Sequence, residues 1–411
     1  MNLLHLSLTH FRNYRRLELD LQGRFTLLQG QNAQGKTNLL EAIFFLATSK
    51  PVHAQTEREV VDWGADEEPI PFSRVTGRVR NQAETFELEV LLTPRGDGVN
   101  FTKQVKINGV NRRSMDLVGM LRAVLFLPED IKLVDGAPGE RRRYLDIALC
   151  QIDRSYCRAL ADYQKVMTQR NSLLRTLSEL EVRPTAEHVA DQLAFWDEKL
   201  VAHGSQVIAR RAAYLGQLGE AACRRHAELS DHRETLQLHY LPSFNPGCWS
   251  DADFARLTDD RHTDAVLALP AATEIDADTV AVHYHARLRN RRAREIAAGT
   301  TLYGPHRDNF RFVANGRDLR TFGSRGQQRT AALALKLAEL EASSATTGVA
   351  PILLLDDVMS ELDARRRQTL LAALDNVEQA IITTTDWSDF APDFRAAAQL
   401  LHVQQGMIQE Q

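Results

Sequence analysis

The chain has 411 residues, of which 44% are hydrophobic and 25% charged, with 50 Lys and Arg against 54 Asp and Glu. This composition is that of a globular protein, and it excludes a disordered, collagen-like or disulfide-rich chain. The four cysteines form no C-x-x-C pair, the apolar runs are too short to span a membrane, and residues 1–14 lack a secretion signal, so we expect a cytoplasmic protein with free thiols. The net charge of −4 argues against a wholly electrostatic nucleic-acid binder but allows a local basic surface.

The first part of the chain predicts a strand, a loop and a helix in succession. Residues 24–28 form a short apolar run, and apolar residues recur with helical spacing over 38–48. Between them, residues 30–37 read G-Q-N-A-Q-G-K-T and match the phosphate-loop pattern G-x-x-x-x-G-K-[ST] in the strand–helix context that supports it. Backbone N–H groups of such a loop bind nucleotide phosphates, Lys36 would neutralise the β- and γ-phosphates, and Thr37 would bind Mg²⁺. We therefore assign nucleotide contacts to Gly30, Asn32, Gly35, Lys36, Thr37 and Asn38.

The next segments predict more sheet and then a helical middle. Residues 86–90 alternate with period two, and Asn108-Gly109 and Asn315-Gly316 are hairpin signals. Apolar residues with 3–4 spacing, which Arg170 interrupts, predict helices on both sides of Pro184, each of about 25 residues. These two helices form either an antiparallel arm or part of an ordinary helical bundle. Residues 242–278 are turn-rich.

The run at residues 351–357 predicts a buried strand that ends in two carboxylates. Such a strand places its acids at the carboxyl edge of a parallel sheet, where ligands bind. Asp356 is then a Mg²⁺ ligand together with Thr37, and Asp357 is placed to orient or deprotonate a water molecule. One nucleotide site is thus assembled from both ends of the chain, and the helical middle is an insertion.

Residues 323–329, which read G-S-R-G-Q-Q-R, open an Ala- and Leu-rich helix. Ser324 and Gly326 at a helix N-terminus make a second anion-binding end. The alternative is an ordinary serine-capped helix.

Together these motifs resemble the ATP-binding-cassette (ABC) ATPase heads of the SMC-like group and, within it, the RecF family of bacterial DNA replication and repair proteins. The matching segments are residues 11–14, the phosphate loop, 126–130, 139–146, 303–308, 326–330 and 355–363. The resemblance implies an α/β fold: a P-loop ABC-type ATPase head formed by residues 1–154 and 286–411, with an inserted, mainly helical domain at 155–285.

The resemblance also implies a mechanism in which ATP joins two copies of the chain. Ser324, Gly326 and Gln327 of one copy would close over the γ-phosphate held by the other, with Arg325 and Asp363 at the dimer interface. Arg12 would reach the nucleotide, Glu129 would sense the γ-phosphate and magnesium, and the catalytic set would be Asp357, Lys36 and Glu129. The implied function is a weak, DNA-stimulated ATPase switch with ATP and Mg²⁺ as cofactors. It would dimerise on double-stranded DNA or single-strand/double-strand junctions, recruit RecR and promote RecA loading in repair and replication.

Four features of the sequence qualify this resemblance. Asp357 stands where transporter cassettes have Glu, so we expect slow hydrolysis. Residues 383–386 lack the histidine that a transporter subunit would need, Arg325 replaces a usual glutamine, and residues 50–56 do not keep the family's Ser-His-Arg-Thr pattern.

A metabolic kinase or GTPase is an alternative function, but the sequence contains neither the guanine-selecting motif N-K-x-D nor an acceptor-binding motif. Candidate DNA contacts are Arg141, Arg142, Arg143, Arg287, Arg289, Arg291 and Arg292.

Overall fold

The computed structural model describes residues 1–54, 56–62, 64–65, 71–82, 84–96, 100–180, 187–258, 275–375 and 377–410. The predicted break at Pro184, Gln55 of the 50–56 segment and part of the turn-rich stretch lie outside these residues. The chain divides into unit 1 (Met1–Asp130, Cys150–Ile152 and Glu339–Gln411) and unit 2 (Ile131–Leu149 and Asp153–Ala338). Unit 2 therefore extends beyond the predicted 155–285 insertion and includes the 323–329 segment.

Unit 1 contains an antiparallel sheet of six strands in the order β2-β1-β4-β5-β6-β7. The strands are β1 (Asn2–Phe11), β2 (Tyr14–Asp20), β4 (Ser73–Asn81), β5 (Glu84–Pro94), β6 (Phe101–Ile107) and β7 (Val110–Arg112). Buried and exposed residues alternate along β4 and β5, as expected for a sheet with one covered face. The predicted hairpin at Asn108-Gly109 joins β6 to β7, with Ile107 opposite Val110.

The second sheet of unit 1 has the order β15-β14-β3-β13-β12-β8. Its strands are β3 (Phe25–Gln29), β8 (Ala123–Phe126), β12 (Ile352–Leu355), β13 (Ala380–Thr384), β14 (Gln399–Gln404) and β15 (Met407–Glu410). All pairs are parallel except β14–β15. Because β12 and β13 are buried throughout, their apolar runs suit the middle of a parallel sheet. The carboxyl ends of β3 and β12 thus meet at one edge, with β13 between them.

Unit 1 also contains helices that connect or flank the strands of its two sheets. They are α1 (Lys36–Thr48), α2 (Ser114–Leu117), α11 (Ala364–Leu374) and α12 (Pro392–Ala396), with 3-10 turns at Glu57–Val60, Val358–Glu361 and Trp387–Asp389 and a further turn, Pro128–Ile131, at its boundary. Helix α1 begins directly after the phosphate loop and is buried over most of its length. A helix that is buried on nearly all sides holds the loop at its N-terminus in a fixed place.

Unit 2 combines a small sheet with a set of helices. Its helices are α3 (Lys132–Asp135), α4 (Pro138–Ile152, whose last residues belong to unit 1), α5 (Arg154–Glu179), α6 (Glu187–Leu229), α7 (Asp251–Thr258), α8 (Ala277–Ala298), α9 (Leu319–Phe322) and α10 (Arg325–Thr347, which continues into unit 1). The sheet β11-β10-β9 contains β9 (Leu236–Leu241), β10 (Asn309–Ala314) and β11 (Arg317–Asp318), and a 3-10 turn covers Pro305–Arg307. The hairpin predicted at Asn315-Gly316 joins β10 to β11.

Helices α5 and α6 are antiparallel, and α8 packs with them. Leu174 near the end of α5 shares a buried cluster with Val189 near the start of α6 and with Ile296 of α8. Helix α6 has 43 residues, longer than predicted, because no proline interrupts it. The arrangement is a group of three packed helices instead of an isolated pair. No helix among the described residues is long and apolar enough to cross a membrane.

Arg170 explains the interruption of the apolar pattern in α5. Its fully buried guanidinium donates to Asp197 Oδ1 at 2.8 Å, to Glu295 Oε2 at 2.7 Å and to Thr301 Oγ1 at 2.8 Å. The buried charge therefore joins α5, α6 and α8, which is why a core position carries an arginine.

Candidate nucleotide-binding site

The phosphate loop lies at the carboxyl end of β3, where the sequence predicted it. Gly35 has φ 117°, in the region that favours glycine, and a Cβ on Gly30 would lie 2.4 Å from the Val403 carbonyl oxygen. Both glycines are therefore required by the backbone path itself. Asn32 is exposed at the outer part of the loop.

Lys36 and Thr37 begin α1 beside the two acidic residues that follow β12. Lys36 Nζ donates to the Gly30 and Gln31 carbonyls, at 2.5 and 3.1 Å. Burial lowers the pKa of Lys36, and the carboxylates of Asp357 and Asp356 oppose this shift. Thr37 Oγ1 donates to Asp356 Oδ2 at 2.7 Å, so the loop and the acidic strand end meet as predicted.

The acidic pair is held in place by β13. Thr383 Oγ1 donates to Asp356 Oδ1 at 2.8 Å and accepts from the Asp357 backbone N–H at 2.9 Å. Burial raises the pKa of Asp357, while Lys36 lowers it. Asp357 Oδ1 is a buried oxygen without a hydrogen-bond partner among the described residues.

These groups fit a magnesium site of the kind found in nucleotide enzymes. Mg²⁺ usually takes one or two protein oxygen ligands and completes its shell with phosphate and water. The Thr37 hydroxyl and the Asp356 carboxylate are such ligands, and the unpaired oxygen of Asp357 lies on the residue next to them. Within the described part of the chain, no cluster of three or more His, Cys, Asp or Glu side chains offers another metal site.

Arg12, which we expected to reach the nucleotide, is bound to α1. Its Nε and Nη2 atoms donate to the two carboxylate oxygens of Glu41, both at 2.8 Å, and Nη1 donates to the Glu59 carbonyl at 2.7 Å. Glu41 also accepts the backbone N–H groups of Val52 and His53. Arg12 thus joins the turn between β1 and β2 to α1 through Glu41.

Glu129, expected at the γ-phosphate, contacts the 50–56 segment. Its carboxylate hydrogen-bonds to His53 Nε2. That hydrogen bond raises the pKa of His53 against the opposing effect of burial, with help from the charges of Glu129 and Glu41. Residues 50–56, which do not keep the family's Ser-His-Arg-Thr pattern, therefore still contact Glu129, a predicted site residue.

The 323–329 segment has the two features that the sequence predicted as alternatives: a serine-capped helix and an accessible helix N-terminus. Ser324 N–H donates to Gln327 Oε1 at 2.8 Å, and Gln327 N–H donates to Ser324 Oγ at 3.2 Å, which forms a reciprocal capping box. Ser324 and Arg325 are exposed. Gln327 also donates to Glu234, and Arg325 forms an ion pair with Asp135. The helix end is therefore both capped and accessible.

Comparisons with known proteins agree with this geometry. The family model for the RecF/RecN/SMC N terminal domain matches residues 2–409. The DNA replication and repair protein RecF of Chloroflexus aurantiacus is 42% identical over 98% of each chain, and that of Herpetosiphon aurantiacus is 40% identical over 99% of each chain. The chain belongs to the RecF family of DNA replication and repair proteins.

Solved structures of RecF have the same fold. The recombination mediator RecF-ATP of the RecFOR pathway has a TM-score of 0.82 at 31% identity, covering 100% of this chain and 97% of the other, and RecF-ATPrS has a TM-score of 0.79 at 32% identity, covering 100% and 98%. An Smc head bound to the C-winged helix domain of ScpA, at TM-score 0.50 and 14% identity over 100% and 97% of the two chains, shares the fold alone. The prediction of an ABC-type ATPase head in the RecF family is confirmed.

Within this RecF-family chain, several of the predicted DNA contacts are engaged elsewhere. Arg141 is 2% exposed and donates to Asn309 and to three carbonyl groups, and burial lowers its pKa to about 10, so its guanidinium is engaged within the protein. Arg142 donates to the Asp308 carbonyl at 2.8 Å. In this cluster Arg141 is therefore internal, whereas Arg142 and Arg143 are half-buried.

The cluster on α8 divides into two groups. Arg287 stacks on the Tyr303 ring at 4.4 Å, and Arg292 forms an ion pair with Asp197 at 3.5 Å. Arg289 and Arg291 are exposed, as is Arg294. Only the exposed group keeps its guanidinium groups on the surface for a phosphate backbone.

Two further expected contacts have local roles. Asp363 caps α11, because its carboxylate accepts from Arg366 N–H at 2.9 Å. Asn38 Nδ2 donates to Asn13 Oδ1 at 2.8 Å.

The residues that sequence reasoning missed all support the site from outside. Glu41, Thr383, Asn13 and Tyr14 hold Arg12, the acidic pair and the phosphate loop. Glu41 carried a signal, because an acid inside an otherwise apolar helix is rarely buried without a partner.

Proposed function

We propose that this chain is an ATP-switched DNA-binding protein of recombinational repair and replication. ATP and Mg²⁺ bind at the phosphate loop, and two copies close on double-stranded DNA or on a gap junction. Slow hydrolysis then releases them. In the cytoplasm, the closed form recruits RecR and promotes RecA loading.

The observation that carries this function is the pairing of Thr37 with Asp356 across 319 positions of sequence. It supports a triphosphate–magnesium site built from both chain ends, because each residue is a ligand of the type that Mg²⁺ takes beside phosphates. Among the similar solved structures are RecF-ATP and RecF-ATPrS.

The exposed capping box at Ser324 supports a second contribution from another copy. A capped helix N-terminus presents partial positive charge, and its neighbouring exposed residues leave it accessible. The phosphate loop together with this second accessible helix end favours a dimer with two composite sites. Lys36, Glu129 and Asp357 act on the phosphate within one copy, and Ser324, Gly326 and Gln327 act from the other.

Light scattering with and without ATP tests the dimer. We expect the wild-type chain to double in mass with ATP and Ser324→Arg to stay monomeric, because a bulky cation would block the helix end. Ser172→Arg, at an exposed position of α5, is the matched control and should dimerise. A wild-type chain that stays monomeric with ATP, or a Ser324→Arg variant that dimerises equally well, contradicts the composite site.

A phosphate-loop variant tests the nucleotide itself. Lys36→Met should abolish ATP binding in a calorimetric titration, since it removes the cation of the loop. Tight ATP binding by this variant contradicts the assignment.

Salt dependence tests the DNA surface. Each phosphate contact contributes about −0.9 to the slope of log affinity against log salt concentration. Arg289→Ala and Arg291→Ala should each reduce that slope by about one, whereas Arg141→Lys, at a buried position, should not. If all three variants show the same slope of log affinity against log salt concentration, Arg289 and Arg291 of α8 do not contact DNA phosphates.

A further inference from the structure

The turn between β1 and β2 lies against the phosphate loop. Phe11 and Tyr14 pair across it, and Arg12 and Asn13 form its tip. Asn13 Nδ2 donates to the Gln34 carbonyl at 3.0 Å, and Tyr14 OH donates to the Gly35 carbonyl at 2.9 Å. Since the Tyr14 side chain is fully buried, this hydroxyl has a fixed direction.

The hairpin formed by β14 and β15 contacts the same loop from the end of the chain. Gly406 N–H donates to the Gln34 carbonyl at 3.0 Å, and Gln405 N–H donates to Gln34 Oε1 at 2.9 Å. Gly406 has φ 73°, and a Cβ there would lie 2.3 Å from the Asn13 carbonyl oxygen. The hairpin and the β1–β2 turn can meet at this point only because residue 406 is glycine.

These contacts determine which way two peptide groups of the loop face. A peptide bond is planar and trans, so its N–H points away from its C=O. The Gln34 carbonyl uses both of its lone pairs on Gly406 and Asn13, which directs the Gly35 N–H to the opposite side. The bond from Tyr14 to the Gly35 carbonyl directs the Lys36 N–H in the same manner.

Asn13 is itself oriented by α1. Its Oδ1 atom accepts from Asn38 Nδ2 at 2.8 Å, which leaves its Nδ2 atom to face Gln34. The chain of contacts therefore runs from α1 through Asn13 to the loop that precedes α1. This set of bonds fixes the loop and leaves the Gly35 and Lys36 N–H groups to face a phosphate.

We propose that Asn13, Tyr14 and the Gln405–Gly406 turn are positioning residues that hold the Gly35 and Lys36 N–H groups ready for the phosphates of a nucleotide. This inference rests on the proposed nucleotide site and adds to it the residues that set its geometry. Donors that are already oriented bind an anion without the cost of ordering the loop. The phosphate-binding geometry of the loop is thus completed by the β1–β2 turn and the β14–β15 hairpin.

Binding titrations with ATP, ADP and inorganic pyrophosphate test this role. Tyr14→Phe removes one oxygen atom and keeps the buried ring, and Asn13→Ala removes the amide. We expect each to weaken all three ligands about five- to tenfold, the loss of one hydrogen bond's contribution to preorganisation. Gly406→Ala should weaken them more, because both its φ and the contact with Asn13 oppose a Cβ.

Tyr303→Phe is the matched control, because it removes a hydroxyl far along the sequence and keeps the ring that Arg287 covers. Because pyrophosphate has no base or sugar, a variant that binds pyrophosphate more weakly has lost affinity for the phosphate groups themselves. Unchanged affinities in Tyr14→Phe and Asn13→Ala, with or without a lower Tm, would overturn the positioning role. A wild-type chain that binds none of the three ligands would instead overturn the proposed nucleotide site.

Discussion

Replacing Glu41 by glutamine is the sharpest test of how the site is supported. Glu41 is 2% exposed and accepts two bonds from Arg12 and one each from the N–H groups of Val52 and His53. Glutamine has the same shape but only one acceptor oxygen. The variant therefore changes hydrogen bonding and charge without leaving a cavity.

The cost follows from the two orientations that the new amide can adopt. With its oxygen in the place of Oε1, it loses the bond from Arg12 Nε and sets an N–H donor against that donor. With its oxygen in the place of Oε2, it loses three bonds. The first orientation is favoured, and it leaves the Arg12 guanidinium, whose side chain is 19% exposed, without its counter-charge. We expect a loss of about 2–4 kcal/mol in the free energy of unfolding.

Urea unfolding measures this loss from the shift in midpoint at constant slope. Glu57→Gln is the matched control, because its 3.4 Å pair with Lys103 involves a carboxylate that is 37% exposed. That variant should cost less than about 1 kcal/mol. If Glu41→Gln costs no more than Glu57→Gln, the bidentate pair between Arg12 and Glu41 does not support the site.

Three other changes have outcomes that follow from the structure. Arg170→Met leaves the buried Glu295 carboxylate without its ion pair and leaves Asp197 with Arg292 as its ion-pair partner. The variant should cost about 3–5 kcal/mol in urea unfolding, with part recovered by adding Glu295→Gln, and a cost below about 1 kcal/mol would contradict this. Asp357→Asn should keep its affinity for ADP in a binding titration and should hydrolyse ATP at least about 100-fold more slowly in a phosphate-release assay. Near-normal ATP turnover by this variant would show that Asp357 has no catalytic role. In His53→Gln, the stability lost relative to wild type should be about 1 kcal/mol or less, because the ion pair with Glu129 is more than one-third exposed. That hydrogen bond raises the pKa of His53 above 6.5. The difference in free energy of unfolding between wild type and His53→Gln should therefore be complete below pH 6.5 and disappear as the pH rises through the raised pKa of His53. A difference that is independent of pH in urea titrations would refute the pairing.

The sequence predicted the sheets and the loop well because their signals are local. Asn108-Gly109 forms a hairpin by its own backbone preferences, and the run at 351–355 can be little else than a buried strand. The meeting of Thr37 with Asp356 followed from strand chemistry plus the rule that ligands bind at the carboxyl edge of a parallel sheet.

The sequence could not predict contacts that depend on long-range packing. Arg170 breaks an apolar pattern, but its partners lie 27 to 131 positions away on other helices and on a loop. The arginines of α8 look alike in sequence, yet Arg287 and Arg292 are engaged while Arg289 is exposed. A run of one residue type gives no information about which face of a helix is covered.

Ser324 shows why two interpretations of one motif need not compete. As a helix cap, its hydroxyl oxygen accepts the Gln327 N–H at 3.2 Å, which satisfies a backbone donor. A hydroxyl also carries a hydrogen, and among the described residues no acceptor is found for that hydrogen, so the same group can cap its helix and donate to a phosphate oxygen of another copy. Gln327 holds the other end of the capping box, so the serine keeps its direction whether or not a second copy is present. Threonine at 324 would keep both functions and alanine would lose both, which is why a residue that looks like an ordinary cap in the sequence can also be the group that closes a composite site.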